Sequence, residues 1–100
     1  PKIGIELLPP QYAQNWGIEG AMIIGILPNG SAEKAGLKPM EQTRSGEIIF
    51  GDIIVGVDDK PIKSNNDLYL VLEKYAPGDK VEISYLRNEK REKASVFLTE

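Results

Sequence analysis

The chain is 100 residues long, with no cysteine, no histidine, 41% hydrophobic and 27% charged residues, and a formal net charge of −3. One domain with a core that needs no covalent staples fits that length, and the missing residue types exclude disulfides, thiolate chemistry and the commonest general base and metal ligand. The acidic balance argues against a nucleic-acid partner, and no apolar run approaches the ~20 residues that span a bilayer, so no direct membrane insertion is expected.

Ile3, Ile5 and Leu7 alternate with Lys2, Gly4 and Glu6, the period of a half-buried strand, and Pro9-Pro10 closes it. Residues 11–16 suit a short helix with proline in its first turn and Gly17 just past its end. Residues 21–27 form a nearly continuous apolar run, expected as a central strand buried on both faces, with Gly25 marking a close backbone approach. Ser31 is placed to cap a helix of one or two turns that Gly36 ends in the left-handed conformation. Residues 38–47 read as a polar, irregular, exposed loop, and residues 53–57 as the next strand, followed by a turn at Asp58-Asp59-Lys60 and a short Pro61-Ile62 piece.

The clearest helix starts at Ser64, with Asp67 three residues on completing a weak capping box. Leu68, Val71, Leu72 and Tyr75 form its apolar stripe, and Pro77-Gly78 ends it. Val81, Ile83 and Tyr85 then alternate, Asn88-Glu89 makes a hairpin turn, and Ala94, Val96 and Leu98 alternate on the returning strand. The whole predicts an α+β fold, a five- to six-stranded, mainly antiparallel partial barrel with two principal helices, as a single domain over residues 1–100. Starting at Pro1 without a signal-peptide pattern, the chain reads as a fragment of a larger protein, with any targeting segment outside it.

Five motifs occur in a telling order: Lys2-Ile3-Gly4-Ile5, Ser31-Ala32-Glu33-Lys34-Ala35-Gly36-Leu37, Gly51-Asp52-Ile53-Ile54-Val55-Gly56-Val57-Asp58, the 67–75 helix with its Pro77-Gly78-Asp79 exit, and the closing hairpin. Together they resemble a PDZ domain of the HtrA/Deg serine-protease type, in its circularly permuted topology, because no strand precedes the Lys2–Ile5 loop. The resemblance implies a non-catalytic module that captures C-terminal or extended apolar peptide segments of misfolded or envelope proteins. Catalysis would belong to a protease domain elsewhere in the parent. It also implies no cofactor, a monomeric isolated domain, a homo-oligomeric parent, and the periplasm or thylakoid lumen as compartment. Elementary chemistry supports a binding role: successive amides around Ile3, Gly4 and Ile5 can form an anion nest for a terminal carboxylate, and the edge of Ile5, Glu6 and Leu7 can accept an added strand. Leu72 would wall a pocket with Ile3 and Ile5, and Lys2 would add a weak attraction. By the family's pattern Asn65 and Tyr69 would face the groove further along.

Rival readings are a PDZ domain of another processing or intramembrane protease, and a structural docking module whose groove is filled by its own protein. Ser31-Ala32-Glu33-Lys34 spells an S-x-x-K nucleophile pattern, but its partner motifs are absent and a helix cap is the better account. Asn29-Gly30-Ser31 reads as a turn rather than a glycosylation site, and Asp52, Asp58 and Asp59 as backbone-geometry residues rather than metal ligands. Tyr12 and Trp16 are expected to be packing residues.

Overall fold

The computed structural model describes residues 2–100. In chain order the elements are β1 (Ile5–Leu7), α1 (Pro10–Asn15), β2 (Ala21–Ile26), α2 (Ser31–Lys34), β3 (Glu41–Gln42), β4 (Ile48–Ile49), β5 (Ile53–Val57), β6 (Lys60–Pro61), α3 (Asn65–Leu72), β7 (Lys80–Arg87) and β8 (Lys90–Phe97). The main sheet runs β1-β2-β5-β7-β8 with β6 paired to β5, and its strand pairings are antiparallel. A bridge between Lys2 and Thr99 brings the two ends of the sheet together as a partial barrel. The alternating apolar positions do what their period requires. Ile23, Ile54 and Ile83 from three adjacent strands are fully buried, and Leu68 and Leu72 of α3 pack onto the same core. Each such side chain contributes about 1.5–3 kcal/mol.

Helix α3 has the best-defined ends. Ser64 Oγ accepts the Asp67 N–H at 3.1 Å, and the Asp67 carboxylate accepts the Lys63 N–H at 3.0 Å, one residue outside the reciprocal bond of a capping box. Its far end is latched to the β5–β6 turn. Tyr75 donates its hydroxyl proton to Asp58 at 2.6 Å, and Asp58 also accepts the Glu82 N–H at 2.9 Å. The Glu82 amide, then the Tyr75 hydroxyl, hold the Asp58 carboxyl below its ordinary 3.8, and the same bond pushes Tyr75 above its ordinary 10.0. Asp58 therefore adds stability that is complete above its unfolded value and fades as pH falls through its lower folded one. Tyr75 adds stability that is complete below its unfolded value and fades as pH rises through its higher folded one. Tyr75→Phe should cost about 0.5–1 kcal/mol at neutral pH. In urea titrations across pH it should remove the alkaline loss but leave part of the acid one, since the Glu82 amide stays.

Several expectations give way to the folded chain. Residues 38–47 are not irregular throughout: Glu41 pairs with Ile49 and Gln42 with Ile48, making a two-stranded hairpin that turns at Gly46 with φ +90°. The ladder is two residues deep with exposed side chains, so it leaves no alternation to read. Ser31 is not the cap of α2. Gly30 holds that position without a side-chain bond, and Glu33 instead accepts the Asn29 N–H at 3.0 Å. Gly36 does take the left-handed stop, at φ +86°. Strand β2 is buried only over its first half, and Leu27 beyond it is 62% exposed.

The close approach lies at Gly51 rather than Gly25. A Cβ on Gly25 would meet only Glu6 side-chain atoms at 3.4 Å, whereas one on Gly51 would overlap the Ile23 carbonyl oxygen and lie 2.5 Å from Met40 N. Tyr12 and Trp16 are exposed, not core, and Trp16 stacks on Phe50 with ring centroids 5.6 Å apart. Asp52 is buried and receives Arg87 through two bonds of 2.7 and 2.8 Å while accepting the Lys38 N–H at 2.8 Å. That bond raises the Arg87 value. Asp52 and Asp58 thus hold separate structural bonds.

Candidate functional site

The first residues are tied down from one side. The Lys2 carbonyl accepts the Thr99 N–H at 2.8 Å, the Ile3 carbonyl accepts the Ala32 N–H at 2.9 Å, and the Gly4 carbonyl accepts the Leu27 N–H at 2.9 Å. In a trans peptide the N–H points opposite to the C=O, and no cis bond occurs among the described residues. The amides of Ile3, Gly4 and Ile5 therefore point away from Thr99, α2 and β2. Those of Ile3 and Gly4 donate to no backbone acceptor among the described residues. Gly4 sits at φ +78°, a bend that costs a glycine nothing.

Strand β1 continues this loop as the border of the sheet, paired to β2 alone among the described residues. Ile5 faces Ile26 and Glu6 faces Gly25, and the register slips between Glu6 and Leu7. In an antiparallel ladder the residue opposite a non-bonded pair turns its N–H and C=O outward. The bond from Leu27 to Gly4 and that from Leu8 to Met22, at 2.9 Å, flank Ile5 and Leu7. Ile5 and Leu7 therefore keep their polar groups on the open side.

A groove of about 490 Å³ lies along this open side. Lys2, Ile3, Gly4, Ile5 and Leu7 form one wall, and Leu68, Tyr69, Leu72 and Glu73 form the other. Ile3, Leu68 and Leu72 are buried, which makes the groove floor part of the core, while Tyr69 is 55% exposed at the rim. The start of α3 is pinned at the far end, where Asn65 Nδ2 donates to the Leu8 carbonyl at 2.8 Å. Strand and helix thus run in opposite directions along the groove.

Of the residues singled out in the sequence, Lys2, Ile3, Gly4, Ile5, Leu7, Tyr69 and Leu72 meet on this groove. Glu6 and Asn65 do not. Glu6 points to the opposite face of β1, where it lines a second hollow with Ile26, Leu27 and Pro28. Asn65 is not among the lining residues, and its Nδ2 donates to the Leu8 carbonyl. Leu68 and Glu73 line the groove without having been singled out for it. Leu68 precedes Leu72 by one helical turn, and that spacing was the available signal.

The chain matches the PDZ domain family over residues 1–98 and belongs to that family. Its similarity within the family is to the HtrA/Deg type of serine protease, as the sequence motifs implied. It is 38% identical over 99 residues to Protease Do-like 8, chloroplastic, from Arabidopsis thaliana, covering 98% of this chain and 22% of that one. It is 30% identical over 97 residues to a probable periplasmic serine endoprotease DegP-like from Ectopseudomonas mendocina, covering 94% of this chain and 18% of that one. The chain thus spans about a fifth of the length of these relatives and corresponds to their PDZ portion. The solved structure of the HtrA-type protease AlgW with decapeptide superposes over 97% of this chain and 27% of its own, with TM-score 0.69 at 22% identity, which bears on the fold alone.

Proposed function

We propose that this domain captures C-terminal or extended apolar peptide segments by strand addition to β1, and thereby recruits substrates to, or regulates, an HtrA/Deg-type serine protease. One observation carries the reading: the three carbonyls of Lys2, Ile3 and Gly4 are bonded on the body side, leaving the next three amides aimed outward beside the open edge of β1. A peptide carboxylate takes those amides, its backbone pairs with Ile5 and Leu7, and its last side chain enters between Ile3, Ile5 and Leu72. Lys2 adds a weak attraction, and Tyr69 contacts the ligand at the rim. Asn65 and Glu6 act outside this pocket, the first by holding α3 at its spacing from β1. That the HtrA-type protease AlgW has been solved with a decapeptide is in keeping with this. Catalysis belongs to a protease domain elsewhere in the parent, an oligomer of the periplasm or a thylakoid lumen, as its chloroplastic and periplasmic relatives suggest.

The test is calorimetric titration with short peptides ending in Val, Ile, Leu, Phe or Ala, each as free acid and as amide. The best free acid should bind with a micromolar constant, about −8 kcal/mol. Amidation removes the charge that the amides hold and should weaken binding by about tenfold or more, the ~1.5–3 kcal/mol of bonds to a charged group. Equal affinity of acid and amide would overturn the carboxylate site. Failure of every peptide would favour a docking module with a self-filled groove.

A further inference from the structure

The face of β1 away from the groove carries a second hollow, of about 280 Å³, that meets the first at Gly4 and Ile5. Its chemistry is unlike that of the groove. Leu27, 62% exposed, and Pro28 give it an apolar shelf beside Ile5 and Ile26, and Gly4 adds no side chain to its lining. Among the described residues Glu6 is the one charged residue lining it. Among the described residues Glu6 takes part in neither of the ion pairs, which are Arg87 with Asp52 and Lys93 with Glu82. An extended ligand added to β1 alternates its side chains across the sheet plane. If the last side chain lies opposite Ile5 and turns into the groove, the one before it lies opposite Glu6 and turns into this hollow.

We propose that the hollow is a subsite for the penultimate ligand residue, and that it selects lysine or arginine. The aliphatic stem of such a residue lies along Leu27 and Pro28, and its cationic head meets the unpaired Glu6 carboxylate. A penultimate glutamate or aspartate is disfavoured by the same charge. This rests on the strand-addition reading above and adds to it the class of C-terminus preferred.

The probes are fluorescein-labelled heptapeptides, neutral at all other positions and ending in the best apolar residue as free acid, with Lys, norleucine, Ala or Glu before it. Anisotropy titration at low salt should rank them Lys, norleucine, Ala, Glu, with a Lys-to-Glu affinity ratio of about fivefold to tenfold, the scale of exposed cross-strand charge pairs. The ratio should shrink at 0.5 M salt, roughly three-fold beyond physiological ionic strength. Glu6→Gln should bring it within about twofold and Glu6→Lys should invert it. Leu27→Ala should erase the advantage of norleucine over Ala. A flat series on the unaltered domain, or a Lys preference that survives Glu6→Gln, overturns the subsite while leaving the groove intact. If no free-acid peptide binds at all, the groove reading falls and this one falls with it.

Discussion

Gly51→Ala should lower the melting temperature of the domain by about 15 °C or more, the consequence of a loss near ~3 kcal/mol in a chain of this size. A single methyl group has this effect because three backbone segments meet at that point. The Ile23 carbonyl, which accepts the Met40 N–H at 2.9 Å, would be overlapped by the new carbon, and Met40 N and Pro39 C would lie 2.5 and 2.7 Å from it. None of these is the flexible end of a side chain, so β2 or the 38–40 segment must move. Movement there strains the bonds of Asp52 to Lys38 and Arg87, and a buried carboxylate with weakened partners is costly. Gly36→Ala is the natural comparison. It meets open space, and its only penalty is φ +86°, about 1–2 kcal/mol. Thermal melts by near-ultraviolet circular dichroism should separate the two clearly. A Gly51→Ala domain melting at or above the Gly36→Ala one would mean that the three segments yield to the methyl group at little cost.

Leu72→Glu should weaken the best free-acid peptide by about a hundredfold or more, through two effects that act at one position. Leu72 is 6% exposed, so its replacement removes the apolar wall of the groove, about 1.5–3 kcal/mol of contact. The new carboxylate then escapes the core only toward the groove, where it opposes the ligand's own terminal carboxylate. The fold should survive with a loss of about 2–4 kcal/mol, since the charged group reaches water at the groove mouth. Leu72→Ala separates the two effects: it keeps the cavity cost and removes the charge, and should weaken binding by about tenfold. Nuclear magnetic resonance spectra of both variants report whether the sheet persists while titration reports affinity. Near-normal binding by a folded Leu72→Glu domain would place the ligand away from α3.

Where side-chain period and burial coincide, the fold could be read in advance. The alternation in β1, β7 and β8, the Leu68, Val71 and Leu72 part of the α3 stripe, and the Ser64 cap all express local rules, although α3 ends at Leu72 and leaves Tyr75 beyond it. The bend before β1 was legible for the same reason, since Gly4 between two isoleucines is a local statement about backbone freedom. The departures fall where residue spacing alone does not decide the outcome. Ser31 lies inside the first turn of α2 with Gly30 at the cap, the β3–β4 ladder is too short and exposed to leave a pattern, and Gly51 matters through segments far away in sequence.

The amino-acid order alone determined the class of fold, most of the core positions, the glycine bend before β1 and the exclusion of histidine- or cysteine-based chemistry, because each depends on residue type and near-neighbour spacing. Tertiary structure alone decided that Asn65 is bonded to the Leu8 carbonyl at the end of β1, and that Leu68 floors the groove. Those outcomes depend on which hydrogen-bond acceptors distant segments bring within reach, and no local pattern encodes a partner 57 residues away.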